Sequence, residues 1–158
     1  MSHYHPAEYY LPHAAPMVLV EQVLWVSEEE ACCQVRVSTD SVLAPFLNPQ
    51  GDLPAWFGLE IIAQTIGVWS GWHGRELTES PPRAGMLLGG RGYRCQHSSF
   101  PAGSLLEVCI ALLMRDEKIG SFDGVIRVDG AILATGRLNT YQPDEHELLQ
   151  LRQQDREL

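Results

Sequence analysis

Glu60 and Gln64 lie four residues apart in the stretch Ala55–Trp72 (AWFGLEIIAQTIGVWSGW), which is otherwise almost wholly apolar. On a helix that spacing puts both side chains on one face. Gly67, Val68 and Gly71 lie near them, mostly small, so the pair would sit in a polar notch with room beside it. A carboxylate buried in such a notch is costly unless paired. Burial also favours its protonated form, which suits acid–base work. Two roles fit this pattern. Glu60 is a general acid or base, with Gln64 orienting it or binding a carbonyl, or the two form a buried pair that fixes helix position.

The start of the same stretch adds a second chemical feature. Pro54 sits where a missing N–H costs a helix little. The backbone N–H groups around Ala55, Trp56 and Phe57 then lack partners within the helix. Such groups stabilise negative charge developing on a thioester oxygen. A carboxylate one turn further on makes this a plausible place for chemistry on an acyl group.

The histidines are the other candidates. His13 is framed by Pro12 and Pro16 in LPHAAPM, which holds it more rigidly than a loop tip would. It is read either as a catalytic group or as a structural, hydrogen-bonded one. His97 stands near a turn where it would line a ligand mouth. His73 closes the apolar stretch, where it would meet the helix dipole. His3, His5 and His146 are read as solvated near the termini. No cluster has metal-ligand spacing, so no metal is expected. Gly89, Gly90 and Gly92 lack the strand–turn–helix context of a dinucleotide site, and no cofactor is expected either.

These groups need elements to hold them. Ala7–Leu11 reads as one short helical turn that Pro12 interrupts. Met17–Trp25 and Ala31–Ser38 read as strands, the second by its alternation. Ser41–Pro54, with three prolines and Gly51, is a loop. Ala55–Trp72 is a helix; being apolar all round it must be buried. Its glycines Gly58, Gly67 and Gly71 cost up to about 1 kcal/mol each against alanine, which close approach of another backbone or a ligand would offset. Gly74–Arg83 is a polar connection. Gly85–His97, Ser104–Arg115, Gly120–Val128 and Ala131–Tyr141 are strands, and Asp129-Gly130 is a hairpin turn. Residues 1–142 then form a single α+β domain, an antiparallel sheet wrapped around one central helix. Residues 143–158 form a polar tail, helical or frayed. The uncovered side of the helix and the sheet edges lead to the expectation of a dimer.

Composition narrows the partners. The net charge is −9 over 158 residues, and Lys118 is the only lysine. That excludes the phosphate backbone of nucleic acids as a natural partner. An acidic acyl carrier protein would need a local arginine patch, which Arg83, Arg91 and Arg94 supply unless they are scattered. Cys32, Cys33, Cys95 and Cys109 match no zinc spacing. They are read as four reduced thiols, Cys32 and Cys33 facing opposite sides of a strand, and hence as a sign of the cytoplasm. No apolar signal core opens the chain, and no run reaches the roughly 20 residues of a membrane span.

The pieces LPHAAPMVLV (Leu11–Val20) and PAWFGLEIIAQ (Pro54–Gln64), with GMLLGGRGYRCQHSSFPAGSLLEV and GVIRVDGAILATG after them, resemble FabZ-type 3-hydroxyacyl-acyl-carrier-protein dehydratases over roughly residues 8–142. VLAPFL, LPAWFGLEIIAQT and GVWSGWH resemble the ApeP-like subgroup associated with aryl polyene pigments. The resemblance implies a hotdog fold, a dimer, and a glutamate–histidine site across its interface. Glu60 matches the family glutamate and Gln64 the neighbouring glutamine. The family histidine belongs to a Gly-His-Phe-Pro loop. Here that loop is FLNPQGDLP (Phe46–Pro54), without histidine, and Asn48 or Asp52 is the nearest polar substitute. His13, or a histidine of a second hotdog dehydratase in a heterodimer, would then complete the site. The implied reaction is dehydration of a carrier-bound 3-hydroxyacyl thioester. Thioester hydrolysis, or a non-catalytic role in completing an active partner, are the alternatives.

Overall fold

The computed structural model describes residues 4–11, 17–78, 86–115 and 119–141. His13 and the tail beyond Tyr141 lie outside them.

Six strands form one antiparallel sheet. They are β1 (Gln22–Val26), β2 (Glu30–Arg36), β4 (Met86–Cys95), β6 (Leu105–Arg115), β7 (Ile119–Val128) and β8 (Ala131–Tyr141), in the order β1-β2-β6-β7-β8-β4. Two further short strands, β3 (Leu53–Pro54) and β5 (Ser99–Phe100), pair with each other beside it. The helix α1 (Phe57–Thr78) lies along one sheet face. Alternation makes that face apolar: Leu106, Val108 and Ile110 of β6, with Phe122 and Ile126 of β7, are buried. They meet Ile61, Ile62, Val68 and Trp69 of α1. At Gly124 the sheet has no side chain on this face, and Ile62 occupies the space a Cβ would need.

The hairpin at Asp129-Gly130 forms as the sequence indicates, with φ +51° and +82° at the two residues. Three elements differ from the sequence reading. The first strand begins at Gln22 rather than Met17, because the backbone before it serves α1 and the N-terminal 3-10 turn Ala7–Tyr10: Leu19 N–H bonds a helix side chain, and Ala7 N–H bonds Glu21 O. The helix runs through Thr78, past Trp72, because Arg75, Glu76 and Leu77 favour helix and the first proline comes only at Pro81. The loop before the helix contains the 3-10 turn Ala44–Phe46 as well as β3.

The thiols are corrected too. Cys32 and Cys109 face each other across β2 and β6, 4.1 Å apart at Cα, and form a disulfide. Antiparallel register brings them together across 77 residues of chain, which spacing alone conceals. This removes the ground on which a reducing compartment was expected. Cys33 points the other way, into the core, as the alternation requires. Burial pushes its thiol up to about 12, a bond to Thr65 opposing the shift. No helix of the described residues is long and apolar enough to cross a membrane.

Candidate active site at the start of the central helix

Gln64 is buried, and its amide has three partners. Oε1 accepts the Leu19 N–H at 2.7 Å. Nε2 donates to Met17 O at 2.7 Å and to Glu60 Oε1 at 3.4 Å. The predicted pairing with Glu60 is therefore present. The stronger bonds hold the chain at residues 17–19 against α1, so the amide is committed within the protein rather than turned toward a ligand.

Glu60 itself is exposed in the single chain. The burial expected for it is not supplied by its own sheet. It opens a line of small or partly exposed residues, Ala63, Gly67, Ser70 and Gly74, along the helix side turned away from the core. Val68 and Gly71, expected on that side, are buried instead. The Tyr10 carbonyl lies where a Cβ of Gly71 would be, so here a glycine admits another backbone.

At the helix start, the Ala55 N–H is not available to a ligand. It donates to Ser98 O at 3.0 Å. The Ala55 carbonyl accepts from Gly58 N–H at 3.0 Å and from the Tyr93 hydroxyl at 2.6 Å. Trp56, next in the chain, is 71% exposed. Its indole lies 5.9 Å from the Phe57 ring, which in turn lies 5.2 Å from Phe46.

Asn48 and Asp52 are structural within their loop. Asn48 Oδ1 accepts from the N–H groups of Gln50 and Asp52, closing a turn with Gly51 at φ +83°. Asp52 Oδ1 accepts from Ala102 N–H at 2.7 Å, tying the loop to the turn before β6. Neither is hydrogen-bonded to Glu60 or Gln64, so the loop's polar substitutes for histidine are spent on the loop.

The other histidines are apart. His97 is exposed. His73 lies inside the helix rather than at its end, 2.9 Å from Ser27 O and against Trp69 and Trp72. Of the arginines considered for a carrier patch, Arg94 is exposed, Arg91 is placed on β4, and Arg83 lies outside the described residues. A shallow hollow of about 510 Å³ is lined by Arg94, Asp123, Val125, Thr135 and Arg137. Since Gly124 and Gly136 between them face α1, this hollow is on the opposite side of the sheet from Glu60. Among the described residues, no three His, Cys, Asp or Glu side chains are grouped to hold a metal ion.

Sequence reasoning missed Tyr93. It sits on β4 beside a bulge between Arg91 and Arg94, where Gly92 has φ +64°. A bulge re-aims a neighbouring side chain. Here the ring passes Gly136 and reaches the helix under Gly58. The one available signal was a tyrosine inside the glycine-rich GGRGYRC.

The fold agrees with what this chain is similar to. A 3-hydroxyacyl-acyl-carrier-protein dehydratase FabZ from Streptococcus agalactiae is 30% identical over 134 residues, covering 81% of this chain and 89% of that protein. A structure of the dehydratase heterocomplex ApeI:P from Xenorhabdus doucetiae matches with 57% identity and a TM-score of 0.89, over 94% of this chain and 97% of that one. Together these define a hotdog-fold dehydratase, a hydro-lyase of the FabZ-like class. Residues 5–151 match the ApeP-like family, described as ApeP dehydratase, and the chain belongs to that family. The phenylacetic acid degradation protein PaaI of Thermus thermophilus, at 15% identity and a TM-score of 0.59 over 77% of this chain and 92% of that one, shares the fold.

Proposed function

We propose that this chain dehydrates 3-hydroxyacyl thioesters held on an acyl carrier protein, in assembly of a conjugated polyene chain, with Glu60 as its acid–base group. In that reaction a base removes a proton from the carbon next to the thioester carbonyl. The electron pair forms the double bond, and an acid protonates the hydroxyl that leaves from the next carbon as water. The first-turn amides of Trp56 and Phe57 would take the charge that builds on the thioester oxygen.

The observation that carries this reading is the placement of Glu60: one turn into α1, 3.4 Å from the Gln64 amide, on a helix side its own sheet leaves open. A second hotdog subunit against that side supplies the missing cover and desolvates the carboxylate. The other edge of β4, unpaired among the described residues, is where the two sheets would join. The Xenorhabdus doucetiae relative was solved as a dehydratase heterocomplex, which supports a heterodimer here.

The second catalytic group is a histidine. His13 is one source: the chain on either side of it is anchored to α1, Leu11 against Gly67 and Met17 on Gln64. The partner subunit is the other, favoured because Asn48 and Asp52 are committed within the loop that normally carries it. The substrate class puts the reaction in the cytoplasm, where the Cys32–Cys109 pair would meet thiol reductants.

The test is incubation of the chain, alone and with a second hotdog dehydratase, with a 3-hydroxyacyl carrier protein, following loss of water by mass spectrometry. Activity that disappears in Glu60→Gln supports the assignment. Full activity in Glu60→Ala would overturn it. Activity only in the pair assigns the histidine to the partner, and activity alone assigns it to His13 once His13→Ala abolishes it.

A further inference from the structure

We infer that Tyr93 is a positioning residue of this site: its hydroxyl, admitted by Gly58, holds the Ala55 carbonyl and so fixes the turn that carries the Trp56 amide and Glu60. The inference rests on the functional reading above and deepens it.

Three observations meet at one peptide. The Tyr93 hydroxyl donates to Ala55 O at 2.6 Å, at the short end for an O–H donor. Gly58 N–H donates to the same oxygen at 3.0 Å, so the carbonyl has two donors. The other end of that peptide is the Trp56 N–H, one of the amides that would face the thioester oxygen. Hydrogen bonds to a carbonyl polarise the whole peptide and strengthen its N–H as a donor. Tyr93 thus acts on the reacting oxygen through the backbone, without touching it.

The fold makes room for this contact at a local cost. A Cβ at position 58 would overlap the Tyr93 hydroxyl, and would stand 2.9 Å from Tyr93 Cζ and 3.2 Å from Phe100 Cζ. Glycine therefore occupies the first turn of α1, where it weakens the helix. On the sheet side, Gly136 lies beside the same ring, a Cβ there standing 3.3 Å from Tyr93 Cδ1. The bulge at Gly92 turns the tyrosine toward the helix. Burial holds the phenol well above its ordinary range, so it remains a proton donor. Its strand, β4, is the edge proposed to meet the second subunit, which makes Tyr93 the link between that edge and the helix start.

The experiment uses the active assembly, the full chain with its hotdog partner where the pair is required, and a 3-hydroxyacyl carrier protein as substrate. Tyr93→Phe keeps the ring and removes only the donor. Expected is a kcat lower by about tenfold per folded molecule, the scale of one hydrogen bond, with KM within about twofold and the melting temperature lower by no more than about 5 °C. Gly58→Ala displaces the same hydroxyl, so the double variant Gly58→Ala/Tyr93→Phe should be no slower than Gly58→Ala alone. Glu60→Gln, measured in parallel, reports on the functional reading itself. If Glu60→Gln is inactive while Tyr93→Phe keeps the kcat of the parent per folded molecule, the inference about Tyr93 falls and the dehydratase site stands. A rise in KM at constant kcat, or kcat losses that multiply in the double variant, also overturn it. If Glu60→Gln is fully active, the functional reading falls and Tyr93 with it.

Discussion

Replacing Gln64 by leucine tests the clamp that joins the helix to the chain before β1. Leucine fills nearly the same space but can neither donate nor accept. The Leu19 N–H then loses its 2.7 Å partner in a buried setting, which costs about 1–3 kcal/mol. The Met17 carbonyl also loses a 2.7 Å donor, but Met17 is 59% exposed, so water can replace that bond and the loss stays below about 1 kcal/mol. The contact to Glu60, at 3.4 Å on an exposed carboxylate, contributes little stability. Burying leucine instead of an amide offsets about 1 kcal/mol. The net loss is about 0.5–3 kcal/mol, which for a chain of this size lowers the melting temperature by about 1–10 °C. Urea unfolding measures it directly, and native-state hydrogen exchange adds site resolution, since the Leu19 amide should lose protection while amides in the β6–β7 ladder follow only the global change. Stability within about 0.5 kcal/mol of the parent, or an unchanged Leu19 amide, would refute the clamp.

Gly71→Ala should destabilise by about 1–3 kcal/mol in urea unfolding, because overpacking against the Tyr10 carbonyl outweighs the better helix propensity of alanine. Alkylation of the denatured, unreduced chain should label only Cys33 and Cys95, and all four cysteines after reduction, in intact-mass spectra. Opening the 77-residue separation between Cys32 and Cys109 by reduction should cost up to about 4 kcal/mol, read as a lower denaturant midpoint with reductant. The folded chain keeps the Cys33 proton up to about pH 12, whereas the unfolded chain releases it near the ordinary value of 9.0. Stability from this group is therefore complete below pH 9 and falls as pH rises between 9 and 12, by up to about 1.4 kcal/mol per pH unit. Cys33→Val should flatten that fall, leaving the part due to Tyr93.

The central helix, the strand runs after it and the Asp129-Gly130 turn were legible because each depends on local pattern. The glycines of the helix were legible in kind, since their cost implied a backbone close by, as Gly71 and Tyr10 show. The exposure of Glu60 was not. An apolar stretch shows that it must be covered, but not whether its own sheet or a second chain covers each side. Asn48 and Asp52 looked free for chemistry because a sequence does not reveal that their carbonyl and carboxylate oxygens close a loop. Tyr93 and the Cys32–Cys109 pair were hidden for a shared reason. Both depend on which strands lie next to each other and in what register, which is set by the whole sheet.

The short N-terminal turn has a practical consequence for handling the chain. Residues 4–11 look dispensable, yet Ala7 and Tyr10 are buried, Tyr10 caps the groove over Gly71, and Pro6 bridges Gln22. Trimming this stretch would expose an apolar strip of α1 and invite aggregation. An affinity tag therefore belongs where it leaves residues 4–11 in place.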